Sequence, residues 1–237
     1  MLRRPDVPGP LWCLPDADAV ASAAAHFLVR RLGRAVATRG VAHCMLSGGQ
    51  TPRPTYALLA RADLPWESVH VWFADERAVP PDHADSNYGM AAGLLADVFE
   101  RATVHRMSAD AEDRDWAAEA YASVLPEVMD VLLLGIGADG HTASLFPGSP
   151  AMAETRRVVA VPGPEGGLPR LTITPPVIRA ARAPIVLATG ADKAPAVAAA
   201  LAGAWDPARV PAQAALHGTW ILDEAARGQS AAEGGSP

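Results

Sequence analysis

Three apolar runs in this chain each end in a polar or glycine-rich turn that leads into helix-forming sequence, and this repeated unit limits the fold more than any other feature. VAHCMLS (41–47) leaves through Ser47-Gly48-Gly49-Gln50-Thr51-Pro52 into RPTYALLA. VHVWFA (69–74) leaves through DERAVPPDHADSNYG into a helix expected from about Tyr88 to Arg101. DVLLLGIG leaves through GADGH. Five or six apolar residues bounded by turns read as buried strands. Strands alternating with helices build a mostly parallel, twisted sheet covered on both faces, so the expected class is α/β and Rossmann-like.

The flanking sequence extends the pattern. Apolar residues at helical spacing from Asp16 to Arg39 predict a long first helix, with Asp16 or Asp18 as its N-cap. RVVAV, RLTIT and PIVLATG read as further strands, the last followed by a helix through Lys193 to Ala202. No linker or repeat divides the 237 residues. One domain over 1–226 is expected, with a flexible, Gly/Ser-rich tail over 227–237. Pro162-Gly163-Pro164-Glu165-Gly166-Gly167 reads as a surface loop and a candidate lid.

Composition excludes several classes. The apolar runs fall well short of the ~20 residues a bilayer helix needs. MLRRPDVPGPLWCLP carries prolines where a signal peptide needs an apolar core, so no membrane association and a cytoplasmic setting are expected. Cys13 and Cys44 show no metal or redox spacing and read as free, buried thiols. With 20 Lys+Arg against 26 Asp+Glu and no long basic run, a nucleic-acid surface is not expected. A small anion in a locally cationic cleft is compatible with that balance.

Ligands of parallel sheets collect beyond the carboxyl ends of the strands, so the segments leaving those ends are the candidate site. SGGQTP offers glycines and hydroxyls before a helix, suited to a phosphate but without the P-loop pattern. After the second strand, Arg77 suits a bidentate phosphate contact, with Asp75 or Glu76 orienting groups nearby and an N-cap at Asp85 or Ser86. GIGADGH departs from the dinucleotide fingerprint and sets an imidazole, His141, two residues after a carboxylate, Asp139. Lys193 opens a helix against its dipole, a placement an anion would explain. There is no GxSxG elbow and no HExxH, so acyl-serine and metal-dependent hydrolysis are both disfavoured.

Together, LSGGQTP, WFADERAVPPDHADSNY, LLLGIGADGHTASLFPG, RLTITPPVI, TGADKA and LHGTWILDEAA resemble the signature blocks of the 6-phosphogluconolactonase family, in its order. The related glucosamine-6-phosphate isomerases/deaminases share the fold but carry an asparagine before the GH and a DEY after the earlier strand. Here Asp139 and Arg77 stand instead. The resemblance implies hydrolysis of 6-phosphoglucono-δ-lactone in the oxidative pentose phosphate pathway, without metal or organic cofactor. It implies His141 as catalytic base, with Gly48, Gly49, Thr51, Arg77 and Lys193 holding the phosphate, and Ser47, which opens the same turn, is expected to join them. Loop N–H groups of Gly137 and Gly140 are expected at the oxyanion, and Asp139, Asp75 or Glu76 behind the imidazole. Arg179 departs from the family's usual Asn in PVIRAA. An isomerase/deaminase and a non-catalytic sugar-phosphate regulator are the alternatives, and monomer and homodimer both fit the sequence.

Overall fold

Aspartate 16 accepts the N–H of Ala19 at 2.8 Å and starts the long first helix; Gly40, at φ 75°, ends it. From this start the computed structural model, which describes residues 3–5, 7–164 and 166–228, runs through alternating elements. They begin with β1 (Leu11–Leu14), α1 (Ala17–Arg39), β2 (Ala42–Leu46), α2 (Arg53–Leu59), β3 (Val69–Phe73) and β4 (Asp75–Arg77). Next come α3 (Asn87–Leu94), α4 (Ala96–Arg101), β5 (Thr103–Val104), α5 (Arg114–Val124), β6 (Val131–Gly135) and β7 (Val158–Val161). The chain continues with β8 (Arg170–Ile173), α6 (Pro175–Ala180), β9 (Pro184–Ala188), α7 (Ala194–Ala202), β10 (Thr219–Asp223) and α8 (Glu224–Arg227).

Seven strands form one parallel sheet in the order β1-β10-β9-β6-β2-β3-β5. Its central strands are buried on both faces, as a sheet layered between helices requires. The chain moves from β2 to β3 on one side and later returns to β6 on the other. The order therefore reverses between β2 and β6, which opens a crevice at their carboxyl ends. The Trp72, Trp220, Tyr56 and Phe73 side chains are fully buried and fill much of the interior.

Some expectations need correction. RVVAV and RLTIT, as β7 and β8, do not join the parallel sheet but pair antiparallel with each other, and β8 pairs with the DER segment, β4. The hand-over occurs at Ala74, whose N–H bonds to Leu46 of β2 and whose carbonyl accepts from Ile173 of β8. The helix expected over Tyr88–Arg101 breaks at Leu95, which leaves helical geometry at φ −122° with its side chain in the core. Cys44 is buried, its thiol pushed up to about 12 by desolvation, but Cys13 lies exposed on the edge strand β1. Arg227 and Gly228 close α8, and the remainder of the expected tail lies outside the described residues. Among the described residues no helix is long and apolar enough to cross a membrane.

Candidate active site

The turns after β2, β3, β6 and β9 surround a cleft of about 540 Å³ at the crevice. Ser47 anchors the first of them. Its hydroxyl donates to the Leu133 carbonyl of β6 at 2.7 Å, and its N–H and carbonyl both bond the Tyr56 hydroxyl of α2. The Ser47 hydroxyl therefore ties strands together, and its donor is not free for a phosphate. The following glycines leave the backbone bare for two reasons. A Cβ on Gly48 would sit 1.8 Å from Asn87 Oδ1, and Gly49 has φ 93°. Thr51 faces Thr189 across the cleft, with their hydroxyls 3.4 Å apart.

The turn after β6 holds the imidazole. Gly137 N–H donates to the His141 carbonyl at 2.8 Å and Gly140 N–H to the Gly137 carbonyl at 3.0 Å, closing a tight loop. Asp139 accepts the His141 N–H at 3.1 Å and lies 2.6 Å from Nδ1. An ionised carboxylate only accepts, so Nδ1 carries the proton and Nε2 is the basic nitrogen. Partial burial acts to raise the Asp139 carboxyl, but the His141 N–H and the charge and ring N–H of its imidazole outweigh it and hold the group below its ordinary value. A Cβ on Gly137 would lie 2.1 Å from His141 Nδ1, so the pair can fold over this residue only if it is glycine. Ala143, also in the lining, holds φ 48°, a strained conformation for a residue with a side chain.

Three cations line the same cleft: Arg77, Lys193 and Arg170, a residue that sequence reasoning missed. Arg77 on β4 stands directly opposite Arg170 on β8 in the antiparallel register. Like charges placed so are unfavourable without a counterion. Arg77 donates to the Asp85 carbonyl at 2.6 Å, while Arg170 reaches Ser144 Oγ at 3.5 Å and Asp75 at 3.8 Å. Among the described residues the Nε of each is buried without a partner. Burial, helped by the Arg77 charge, lowers the Arg170 pKa despite the pull of Asp75. Lys193 pairs with Asp192 at 3.2 Å, after a turn at Gly190 whose N–H is held by Asp223.

The two carboxylates of DER do not meet His141 as orienting groups. Asp75 is buried and accepts from Ser144 Oγ at 2.5 Å and from Asn87 Nδ2 at 3.1 Å, bracing the cleft floor. Glu76 turns away from the cleft: it accepts from Ser86 Oγ and from the N–H groups of Arg77, Asn87 and Tyr88 at the start of α3. Burial pushes its carboxyl up, against those four donors. Ser86 is the N-cap of α3. Of the two loop glycines Gly137 lines the cleft and Gly140 does not, and the N–H groups expected at an oxyanion are spent within the loop. Arg179 is exposed on α6 and lies outside the cleft lining, as do residues 162–164 and 166–167 of the expected lid. Among the described residues no three His, Cys, Asp or Glu side chains form a metal-binding group.

The geometry has counterparts in known proteins. The family described as glucosamine-6-phosphate isomerases/6-phosphogluconolactonase matches residues 15–222. A 6-phosphogluconolactonase of Synechocystis sp. is 41% identical over 211 residues, covering 83% of this chain and 88% of its own. One from Pseudomonas putida is 40% identical over 214 residues, covering 86% and 88%. The solved 6-phosphogluconolactonase of Trypanosoma brucei superposes with a TM-score of 0.80 at 30% identity, over 93% of this chain and 98% of that one. A monomeric glucosamine-6-phosphate deaminase superposes at 0.79 with 20% identity, over 93% and 100%, a likeness of fold. By sequence along most of its length and by architecture, this chain belongs to the glucosamine-6-phosphate isomerase/6-phosphogluconolactonase family.

Proposed function

We propose that this protein hydrolyses 6-phosphoglucono-δ-lactone to 6-phosphogluconate, the lactone-opening step of the oxidative pentose phosphate pathway, with His141 as general base. The observation that carries the reading is the Asp139–His141 pair, 2.6 Å apart, on the wall of a cleft that also holds Arg77, Arg170 and Lys193. A lactone bearing a phosphate needs both parts: cations to fix the dianion and a base beside the ester carbon.

In this mechanism the bare turn at Gly48 and Gly49, with Arg77, Arg170 and Lys193, holds the phosphate. Nε2 of His141 takes a proton from water as the oxygen attacks C1. The tetrahedral intermediate collapses with cleavage of the bond to the ring oxygen, which receives that proton from the imidazolium. Asp139 keeps the imidazole in the required tautomer and stabilises its positive charge. Asp75 acts as a positioning residue, bracing the cleft through Ser144 and Asn87. The reading needs no metal or organic cofactor and keeps the cytoplasmic setting expected from the sequence.

The test is production of 6-phosphogluconate from freshly generated δ-lactone, corrected for spontaneous hydrolysis. Wild-type protein should exceed background, and His141→Ala should lose ~10²–10⁴-fold in kcat while remaining folded. Equal turnover in the two would remove His141 from the chemistry. Ammonia released from glucosamine 6-phosphate, with no lactonase activity, would replace the reading by the deaminase.

A further inference from the structure

The opposite rim of the sheet has its own concentration of positive charge. Asp130 lies just before β6 and Arg182 just before β9, at the amino ends of the strands whose carboxyl ends form the cleft. Five-residue strands separate the two rims by about 16 Å. On this far rim Arg31, Arg34 and Arg39 of α1 converge with Arg182 around a cavity of about 160 Å³. Among the described residues Asp130 is the one carboxylate in its lining. It is buried, and it is shared between Arg39, Arg182 (Nε at 3.4 Å) and the His43 N–H (3.0 Å). Arg31 rests over the Phe27 ring at 5.0 Å. Neither Arg31 nor Arg34 makes an ion pair among the described residues.

The negative end of α1 accounts for Arg39, which stands in its last turn. It does not account for Arg31, two turns earlier, nor for Arg182, which belongs to another part of the chain. In a protein of net charge −6, four guanidinium groups around one carboxylate concentrate positive charge here, and among the described residues Asp130 is the carboxylate that pairs with any of them. Guanidinium forks bind phosphate oxygens bidentately. Four guanidinium groups less the Asp130 carboxylate leave about +3, more than the roughly −2 of one phosphate group and nearer the charge of a diphosphate.

We propose that Arg31, Arg34, Arg39 and Arg182 form a second anion site, distinct from the catalytic cleft, that takes a diphosphate group, free or carried on a nucleotide. Asp130 is its hinge. An anion drawing Arg39 and Arg182 toward itself weakens their hold on Asp130, and His43, whose N–H Asp130 accepts, reports the change.

The experiment is calorimetric titration of pyrophosphate into the full chain, followed in parallel by the His43 imidazole resonance. Three proteins are compared: wild type, an Arg34→Gln/Arg182→Gln variant, and an Arg77→Ala/Lys193→Ala variant that weakens the cleft. Expected are binding that survives the cleft variant, falls at least tenfold in the rim variant, and moves the His43 resonance. Lactonase kcat should be unchanged in the rim variant. An equal affinity for ADP would identify the nucleotide-borne group as a ligand, and a preference for pyrophosphate would identify the free anion. Pyrophosphate binding that disappears with the cleft variant, or that ignores the rim substitutions, would overturn the proposal.

Discussion

Replacing Asp139 by Asn isolates what the carboxylate charge does for His141. The Asp139 Oδ1 that faces Nδ1 at 2.6 Å also accepts the His141 N–H at 3.1 Å. An Asn oxygen can keep both contacts, so the tautomer survives and the charge is lost. Two unit charges about 4 Å apart interact by about 1 kcal/mol in bulk water and about 4 kcal/mol near a protein surface. Asp139 is 52% exposed and His141 34%, which places the pair toward the screened end. A loss of about 1–3 kcal/mol in stabilising the imidazolium lowers kcat by about 5- to 150-fold. That is well below the ~10⁴-fold loss when the carboxylate of a buried serine-protease triad is neutralised. The assay is steady-state hydrolysis of δ-lactone, separating kcat from KM. A fall in kcat in the stated range with KM nearly constant supports the argument. A kcat within threefold of wild type, or an effect confined to KM, would refute it.

Other outcomes follow from the same geometry. Gly137→Ala puts a methyl group where His141 Nδ1 and Asp139 Oδ1 now meet, so kcat should drop at least 100-fold with little change in the unfolding midpoint, read by activity and by urea denaturation side by side. Arg170→Gln breaks the guanidinium pair with Arg77; KM for the phosphorylated lactone should rise at least tenfold, and a drop in kcat at constant KM would instead place Arg170 at the reacting carbon. His43 and His105 are both held below the ordinary histidine value, first by burial and then by the charge of His70, with Arg39 adding to the effect at His43 and Asp130 opposing it. The unfolded chain then binds more protons, so stability is lost as pH falls below ~6.5. The urea midpoint should fall over that range, and His43→Gln/His105→Gln should flatten the fall.

Legibility in the sequence followed the distance between partners. The SGG turn, the GIGADGH loop and Lys193 could be placed in one site because each leaves a recognisable strand, and parallel strands send their carboxyl ends to one rim. Asp139 and His141 are two residues apart, and their contact follows from the loop itself. Arg170 was hidden in RLTIT, whose period reads as an ordinary strand; its significance depends on the antiparallel register that sets it against Arg77. Glu76 looked like an equal of Asp75, yet successive residues of a strand point to opposite faces, and the Glu76 face meets the start of α3. Ser47 looked like a phosphate donor, but the pairing of β2 with β6 brings the Leu133 carbonyl to its hydroxyl.

The sequence by itself determined the alternation of strand and helix, the family to which the chain is similar, and the pairing of a histidine with a carboxylate inside one glycine-lined loop. These depend on periodicity and on contacts a few bonds away, which local geometry sets. Tertiary structure alone decided that β4, β7 and β8 leave the parallel sheet, and that Asp75 braces Ser144 across 69 residues of chain. It also decided that the cleft's third cation is Arg170. Each of these is a choice of strand partner and register, settled by how the whole chain buries its apolar faces and finds partners for its buried polar groups.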